Sequence, residues 1–185
     1  MQARRRDGST GCGGAHRAGG ASRVTRLFLG LGSNIEPQRY LPLGLAELEA
    51  LLGPLRVSPV YEGAAIGFQG EPFWNLVVEA NTTLDVGDLQ KALRTIEYAH
   101  GRPENASRCS PRSLDIDILL YGDLCGVIDG VELPRGEILD NAFVLRPLAE
   151  LAPEDVHPVA GLSYRELWAA YDASSQPLRA VSLDL

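Results

Sequence analysis

The chain has 185 residues and an apolar fraction of 45%, which is enough for one globular domain with a buried core. Its net charge is −7, but the first 26 residues contain six arginines and one aspartate, so residues 27–185 carry −12. Such an acidic body argues against a broad nucleic-acid-binding surface, and no apolar run approaches the ~20 residues of a membrane span.

Residues 1–25 are rich in glycine, serine, alanine and arginine, with no apolar face to bury. We expect them to be disordered or an upstream extension of the reading frame, and residues 26–185 to form a single domain. No apolar stretch follows Arg4-Arg5-Arg6, so this group is not typical of a secretory signal. Three widely spaced cysteines show no zinc-ligand pattern and favour a reducing, cytoplasmic compartment.

The first half of the domain alternates strand and helix patterns. An apolar strand over residues 27–31 stops at the small polar turn Gly32-Ser33-Asn34. Leucines then recur at helical spacing after Pro37 until Gly53-Pro54 ends the helix. Two more strands are predicted, over residues 55–62 and 73–83, separated by a glycine-rich loop.

The second half begins with a helix that Asp85 caps and Gly101 follows. After an arginine-rich loop, a strand is predicted over residues 115–121, and a glycine-punctuated hairpin comes next. A short helix over about residues 141–151 and a last helix, opened by a capping box at Ser163, complete the chain.

The order of these elements is β-α-β-β-α-β with C-terminal additions. This order predicts a ferredoxin-like α+β fold, in which an antiparallel sheet carries two helices on one face. The other face and its loops should remain free for ligands.

Two carboxylates stand at the start of the strand over residues 115–121. Because side chains alternate along a strand, Asp115 and Asp117 share one face, while Ile116, Ile118 and Leu120 point to the other. The two anions, roughly 6–7 Å apart by strand rise, repel each other unless water or a cation lies between them. They suit Mg²⁺ carrying a polyphosphate, which favours one or two carboxylates plus phosphates. The spacing alone would equally fit a solvated strand end.

Positive charge gathers just before those carboxylates. Of eleven basic residues in 27–185, five lie within 22 residues, namely Lys91, Arg94, Arg102, Arg108 and Arg112. An acidic domain that concentrates its positive charge in this way is building a local anion site. For Arg94 and Glu97, which are helix neighbours three residues apart, the spacing alone favours an ordinary surface ion pair.

Five segments form an ordered set with a family likeness. They are Leu29-Gly-Leu-Gly-Ser-Asn34, Phe73-Trp-Asn75, Glu97 with His100-Gly-Arg102, Ser110-Pro-Arg-Ser-Leu-Asp-Ile-Asp117, and Asn141-Ala-Phe-Val-Leu-Arg-Pro-Leu148 with Leu151-Ala-Pro153. Together they resemble the 6-hydroxymethyl-7,8-dihydropterin pyrophosphokinases of folate synthesis, over about residues 26–158. The Arg-Xaa-Leu-Asp-Xaa-Asp motif is the most specific of them.

The resemblance implies that pyrophosphate is transferred from ATP to the pterin hydroxymethyl group, with AMP released. It implies two Mg²⁺ ions, held by Asp115 and Asp117 and bridging the triphosphate. Arg102 and Arg112 match arginines beside the triphosphate and are the implied catalytic residues, because positive charge there stabilises the transferred group. The implied ATP contacts are Arg94, Glu97, Arg108, Ile118 and Arg135.

The resemblance also implies a pterin site. Asn75 matches a residue that hydrogen-bonds the pterin edge, and Phe73 and Phe143 match an aromatic pair that clamps the flat ring. Ile66 aligns with a position lining the same pocket. From the sequence pattern alone, plain core packing would be the simpler interpretation of both phenylalanines.

The departures from the family pattern lie on the ATP side. Most members have a Pro-His-Tyr segment where this chain has Pro134-Arg135-Gly136. Four further positions differ in residue type from most members, namely Arg94, Glu104, Cys109 and Asn141.

These differences keep a second interpretation open, a divergent paralogue that acts on another pterin or binds pterin or nucleotide without turnover. A ferredoxin-like RNA-binding module is a third class, which the acidic body disfavours. We expect ATP and a pterin as partners, and a monomeric protein.

Overall fold

A computed structural model describes residues 23–67, 69–102 and 110–183. Within these ranges the elements in chain order are β1 (Thr25–Ser33), α1 (Pro37–Leu52), β2 (Arg56–Val57), β3 (Val60–Gly63), β4 (Phe73–Thr82), α2 (Val86–Ala99), β5 (Asp115–Tyr121), β6 (Gly126–Ile128), β7 (Val131–Leu133), α3 (Glu137–Asp140), α4 (Ala142–Leu151), α5 (Tyr164–Ala170) and β8 (Leu178–Val181). None of the described helices is both long and apolar enough to span a membrane.

The main sheet has the strand order β5-β1-β4-β3-β8, with β2 also paired to β4. Every pairing in it is antiparallel. The order β5-β1-β4-β3, with α1 and α2 as the connecting helices, is the split β-α-β arrangement of a ferredoxin-like fold. The predicted fold class is therefore confirmed. The hairpin β6-β7 forms a separate small sheet.

The first face of the sheet is covered by α1 and α2. Their leucine stripes, represented by Leu48 of α1 and Leu93 of α2, pack with the odd-numbered leucines of β1 into one buried cluster. The predicted helix ends are present as well. The side chain of Asp85 accepts a hydrogen bond from the backbone N–H of Asp88 at 2.8 Å, and Gly53 ends α1 with a φ of 81°.

The second face is partly covered by the C-terminal helices. Leu145 and Leu148 of α4 pack with Phe28 and Val77 of the sheet, and Tyr164 of α5 joins the same cluster. The expectation that this face stays free is wrong under α4. It holds for the remaining part, where a cavity opens.

Two strands differ from their predicted extents. β1 does not stop before Gly32, because its pairing with β4 continues through Ser33. The predicted strand over residues 55–62 is interrupted at Ser58 and Pro59. The proline has no N–H to donate to a sheet ladder, so β2 and β3 pair separately with β4.

A register shift in β5 corrects one side-chain assignment. The pairing of β5 with β1 slips between Phe28 and Leu29, which is a β-bulge. As a result Leu119 and Leu120 both pack in the cluster under α4, whereas Ile116 and Ile118 pack under α1 and α2. The prediction that Leu120 shares a face with Ile116 is wrong.

Candidate active site

A cavity of about 640 Å³ lies on the uncovered part of the second sheet face. β5 contributes Asp115 and Asp117, β4 contributes Phe73 and Asn75, and β1 runs between them. The two β1 residues between these groups on this face, Gly30 and Gly32, have no side chain, so the floor of the cavity stays open.

The paired carboxylates have the predicted placement. Asp115 and Asp117 both line the cavity, with side chains 23% and 27% exposed, while Ile116 between them is buried on the opposite face. Burial, and the charge of Asp115 beside it, raise the pKa of Asp117 to about 6. Two neighbouring carboxylates in a half-buried site repel each other, so nearby positive charge stabilises them.

Two arginines supply positive charge beside Asp115. Nη1 of Arg102 lies 2.8 Å from Oδ1 of Asp115, and Nη1 of Arg112 also contacts that oxygen. Both arginines line the cavity, as does Arg94 from α2. The structure therefore brings the predicted catalytic and metal-binding residues together.

Glu97 lies beneath these arginines rather than in the cavity. Its side chain is 1% exposed and forms ion pairs with Arg94 at 3.0 Å and Arg102 at 2.8 Å. Its Oε1 also accepts the backbone N–H of Ile116 at 2.8 Å, which fixes α2 against the edge strand β5. Burial raises the pKa of Glu97 to about 7. An ordinary surface ion pair is thus the wrong interpretation, because only the packing of α2 on β5 buries this carboxylate.

Arg135 reaches the second carboxylate. Its Nη2 lies 3.1 Å from Oδ1 of Asp117, and its Nε lies 3.1 Å from Oε2 of Glu137. The guanidinium is partly buried, and its carboxylate neighbours raise its pKa against the opposing effect of burial. The predicted ATP-side arginine therefore lies in the cavity, where its guanidinium pairs with two carboxylates of this chain.

The predicted pterin-side residues come together in the same cavity. Phe73, Asn75, Ile66 and Phe143 all line it. Asn75 is 8% exposed, and Ile66 is 50% exposed at the rim. The two phenylalanines come from β4 and α4, which are distant in sequence, and this explains why the sequence pattern could not separate a ring clamp from core packing.

Besides Glu97, two predicted ATP contacts are not found among the described residues that line the cavity. The side chain of Ile118 is 1% exposed and packs in the core under α1 and α2, away from the cavity, and its contact with ATP stays a prediction. Arg108 lies outside the described residues.

The sequence pattern did not identify Asn34 as a residue that positions the site. Its Oδ1 accepts the backbone N–H of Arg112 at 2.7 Å, and its Nδ2 donates to the carbonyl of Glu71 at 3.2 Å. The side chain therefore links the arginine loop to the loop before β4. The predicted polar turn Gly32-Ser33-Asn34 was the available signal, but the sequence pattern indicated only the end of the first strand there.

The donor set fits a divalent cation that arrives with phosphate. Asp115 and Asp117 offer two half-buried carboxylates, and no group of three or more metal-ligating side chains occurs among the described residues. Two protein carboxylates with phosphate oxygens completing the shell is the coordination that Mg²⁺ favours.

Comparisons with known proteins point the same way. A family model for 7,8-dihydro-6-hydroxymethylpterin-pyrophosphokinase (HPPK) matches residues 28–153. The 2-amino-4-hydroxy-6-hydroxymethyldihydropteridine pyrophosphokinase of Pseudomonas aeruginosa is 37% identical over 151 residues, covering 80% of this chain and 92% of that protein. The Aquifex aeolicus protein of the same name is 34% identical over 138 residues, covering 74% of this chain and 86% of that one.

A solved structure supports the fold. The Plasmodium falciparum HPPK-DHPS with pterin and p-hydroxybenzoate matches with a TM-score of 0.66 at 15% identity, over 80% of this chain. The match spans 42% of that solved chain, which is less than half of its length.

Proposed function

The chain belongs to the 7,8-dihydro-6-hydroxymethylpterin-pyrophosphokinase family, and we propose that it transfers pyrophosphate from ATP to the hydroxymethyl group of 6-hydroxymethyl-7,8-dihydropterin in folate synthesis. The observation that carries this proposal is the composition of one cavity. Carboxylates and arginines on the β5 side suit a metal-bound triphosphate, whereas two phenylalanines and an amide on the β4 and α4 side suit a flat heterocycle.

On the β5 side, Asp115 and Asp117 would hold Mg²⁺, and we assign two ions to them. When bound there, Mg²⁺ would neutralise charge on the triphosphate and orient it. Arg102 and Arg112 already lie beside Asp115, from which their guanidinium groups can reach phosphate oxygens in the same cavity. Their fixed charge would stabilise the charge that spreads over the transferred group.

Glu97 has a different role in this proposal. Because it is buried under Arg94 and Arg102, it holds the arginines in place and does not itself meet the nucleotide. Arg94, which lines the cavity, remains an ATP contact in this proposal.

On the β4 side, Phe73 and Phe143 would stack on the pterin ring while Asn75 hydrogen-bonds its edge. Ile66 would close the rim of this part of the cavity. The open floor at Gly32 leaves room for a flat ring to approach the sheet.

The test is incubation with 6-hydroxymethyl-7,8-dihydropterin, ATP and Mg²⁺, with chromatographic detection of AMP and of the pterin pyrophosphate. Asp115→Ala and Asp117→Ala should each remove most turnover without unfolding the protein, because each leaves the metal short of a ligand. Asp123→Ala, at an exposed aspartate in the turn after β5, is the matched control. Near-normal turnover of either cavity variant at saturating Mg²⁺ would contradict the metal assignment.

Binding without turnover is a second candidate, because the ion pair of Arg135 with Asp117 neutralises one of the two metal carboxylates. Tight pterin binding with no AMP produced would favour it.

We also propose that the protein acts as a monomer in the cytoplasm. The cavity has its carboxylates, arginines and phenylalanines without a second copy of the chain, and the scattered cysteines favour a reducing compartment. Light scattering tests the first statement and cell fractionation the second.

A further inference from the structure

The main chain of Arg135 is fixed by hydrogen bonds, and its side chain contacts a carboxylate that would bind metal in the proposed reaction. Its backbone N–H donates to the carbonyl of Leu119 on β5 at 2.9 Å, and its own carbonyl accepts the N–H of Ile138 in α3 at 3.1 Å. These two bonds fix the main chain of Arg135 between the sheet and α3. From this anchored position the guanidinium meets Asp117 and Glu137, each at 3.1 Å.

A guanidinium on Asp117 and a divalent cation on Asp117 compete with each other. Arg135 already occupies Oδ1 of Asp117, one of the two oxygens that this carboxylate can offer to a metal, and two cations placed on one carboxylate repel each other. A metal ion that arrives alone must therefore displace Arg135 from Asp117, which leaves the guanidinium its ion pair with Glu137.

A metal ion that arrives with a triphosphate meets a different situation. The phosphate oxygens lie in the same cavity and offer the displaced guanidinium a new anionic partner, to which arginine binds well through its forked donors. The cost of breaking the ion pair between Arg135 and Asp117 is then offset within the complex.

We propose that Arg135 is a tethered cation that occupies Asp117 before substrate binds and yields it to a divalent metal only when a triphosphate takes over the guanidinium. The inference rests on the proposed function, because it assumes that Asp117 binds metal and that ATP enters this cavity. It makes Arg135 a positioning residue that couples metal binding to nucleotide binding. By linkage the coupling is reciprocal, so that each ligand tightens the binding of the other.

The test compares two affinities in the whole chain, measured without pterin. The first is the affinity for Mn²⁺ alone, followed by its electron paramagnetic resonance signal. The second is the affinity for α,β-methylene ATP with saturating Mn²⁺, followed by calorimetry. In Arg135→Ala the affinity for Mn²⁺ alone should rise roughly threefold to tenfold, since the competing cation is gone. The affinity for the nucleotide analogue should fall by a similar factor.

The opposite directions of these two changes distinguish the proposal from its competitors. A purely structural role of Arg135 would weaken both affinities, and a simple phosphate contact would weaken only the second. Either of these results, or no change in Mn²⁺ affinity, overturns the proposal. Arg135→Lys retains a cation and should bind Mn²⁺ alone nearly as the unmodified chain does.

The matched control is Arg179→Ala, which removes an arginine paired with Glu62 on the far side of the sheet. It should change neither affinity. If Arg135→Ala does not fold, as judged by its melting curve, Arg135→Gln replaces it with the same expected signs. Because neither measurement needs turnover, a failure of this inference is distinct from a failure to produce AMP.

Discussion

Glu97 shows how a single buried charge organises the residues around it. Its carboxylate accepts the backbone N–H of Ile116 and pairs with Arg94 and Arg102. One residue therefore links α2, the arginine loop and β5. The spacing of Arg94 and Glu97 predicts their contact, but burial decides what the contact does.

The raised pKa of Glu97 predicts a pH-dependent stability difference. A folded-state pKa of about 7 lies above the usual 4.5, so the folded chain binds a proton that the unfolded chain releases in this range. The resulting stabilisation is complete below about pH 4.5 and is lost as the pH rises to about 7. Glu97→Gln should not lose stability in this way. The difference between its free energy of unfolding and that of the unmodified chain should therefore increase as the pH rises from about 4.5 to about 7. Urea titrations at several pH values measure the difference, and a constant difference would contradict the assignment.

The close contact between Gly32 and Asn75 predicts that a larger residue at position 32 weakens pterin binding in particular. A Cβ atom at this position would lie 3.0 Å from Oδ1 of Asn75, closer than side chains normally tolerate, whereas a Cβ at Gly30 would lie 3.4 Å from Leu119. Gly32→Ala should therefore displace Asn75 and raise the KM for pterin roughly threefold to tenfold, about the loss of one hydrogen bond. The KM for ATP should change little. Steady-state kinetics measure both KM values. The matched variant Gly30→Ala should raise the KM for pterin less than Gly32→Ala does, and an equal increase in the two variants would contradict the prediction.

At the scale of elements, the break between β2 and β3 is repaired by a side chain. Ser58 is 5% exposed, and its Oγ accepts the backbone N–H of Val77 on β4 at 2.9 Å. The backbone of Ser58 donates to the carbonyl of the same residue, also at 2.9 Å. The serine thus continues the hydrogen bonding of the sheet where Pro59 interrupts it.

Ser58→Ala should lower the free energy of unfolding by about 1–3 kcal/mol, because the buried N–H of Val77 loses its acceptor. Ser182→Ala, at an exposed serine after β8, provides the comparison. Chemical denaturation of both variants measures the effect. An equal stability for the two would show that Val77 finds another acceptor.

At the scale of the whole molecule, the domain is a ferredoxin-like sheet with a different layer on each face. α1 and α2 close one face, and α4 and α5 close part of the other. The part left open becomes the cavity, whose walls come from both halves of the chain. The described β1 begins at Thr25, one residue before the predicted boundary of the domain.

Removal of the first 23 residues is predicted to leave the domain intact. The expectation of disorder for this segment falls mostly outside the described residues and stays a prediction, based on its lack of an apolar face to bury. A chain beginning at Val24 should keep the melting temperature and AMP production of the full chain. A clear drop in melting temperature would instead show that the segment packs on the domain.

The sequence by itself determined the features that depend on local periodicity. The shared face of Asp115 and Asp117, the cap at Asp85 and the capping box at Ser163 all follow from residues a few positions apart. The backbone geometry of a strand or a helix decides such relations before any packing occurs.

The tertiary structure alone decided the features that depend on which elements meet. It buried Glu97 beneath Arg94 and Arg102 and placed Arg135 on Asp117. It also added β8 and α3, which have weak local patterns, and covered part of the second face with α4. Residues distant in sequence come into contact only when the packed faces and loop lengths bring them together, so periodicity carries no information about their pairing.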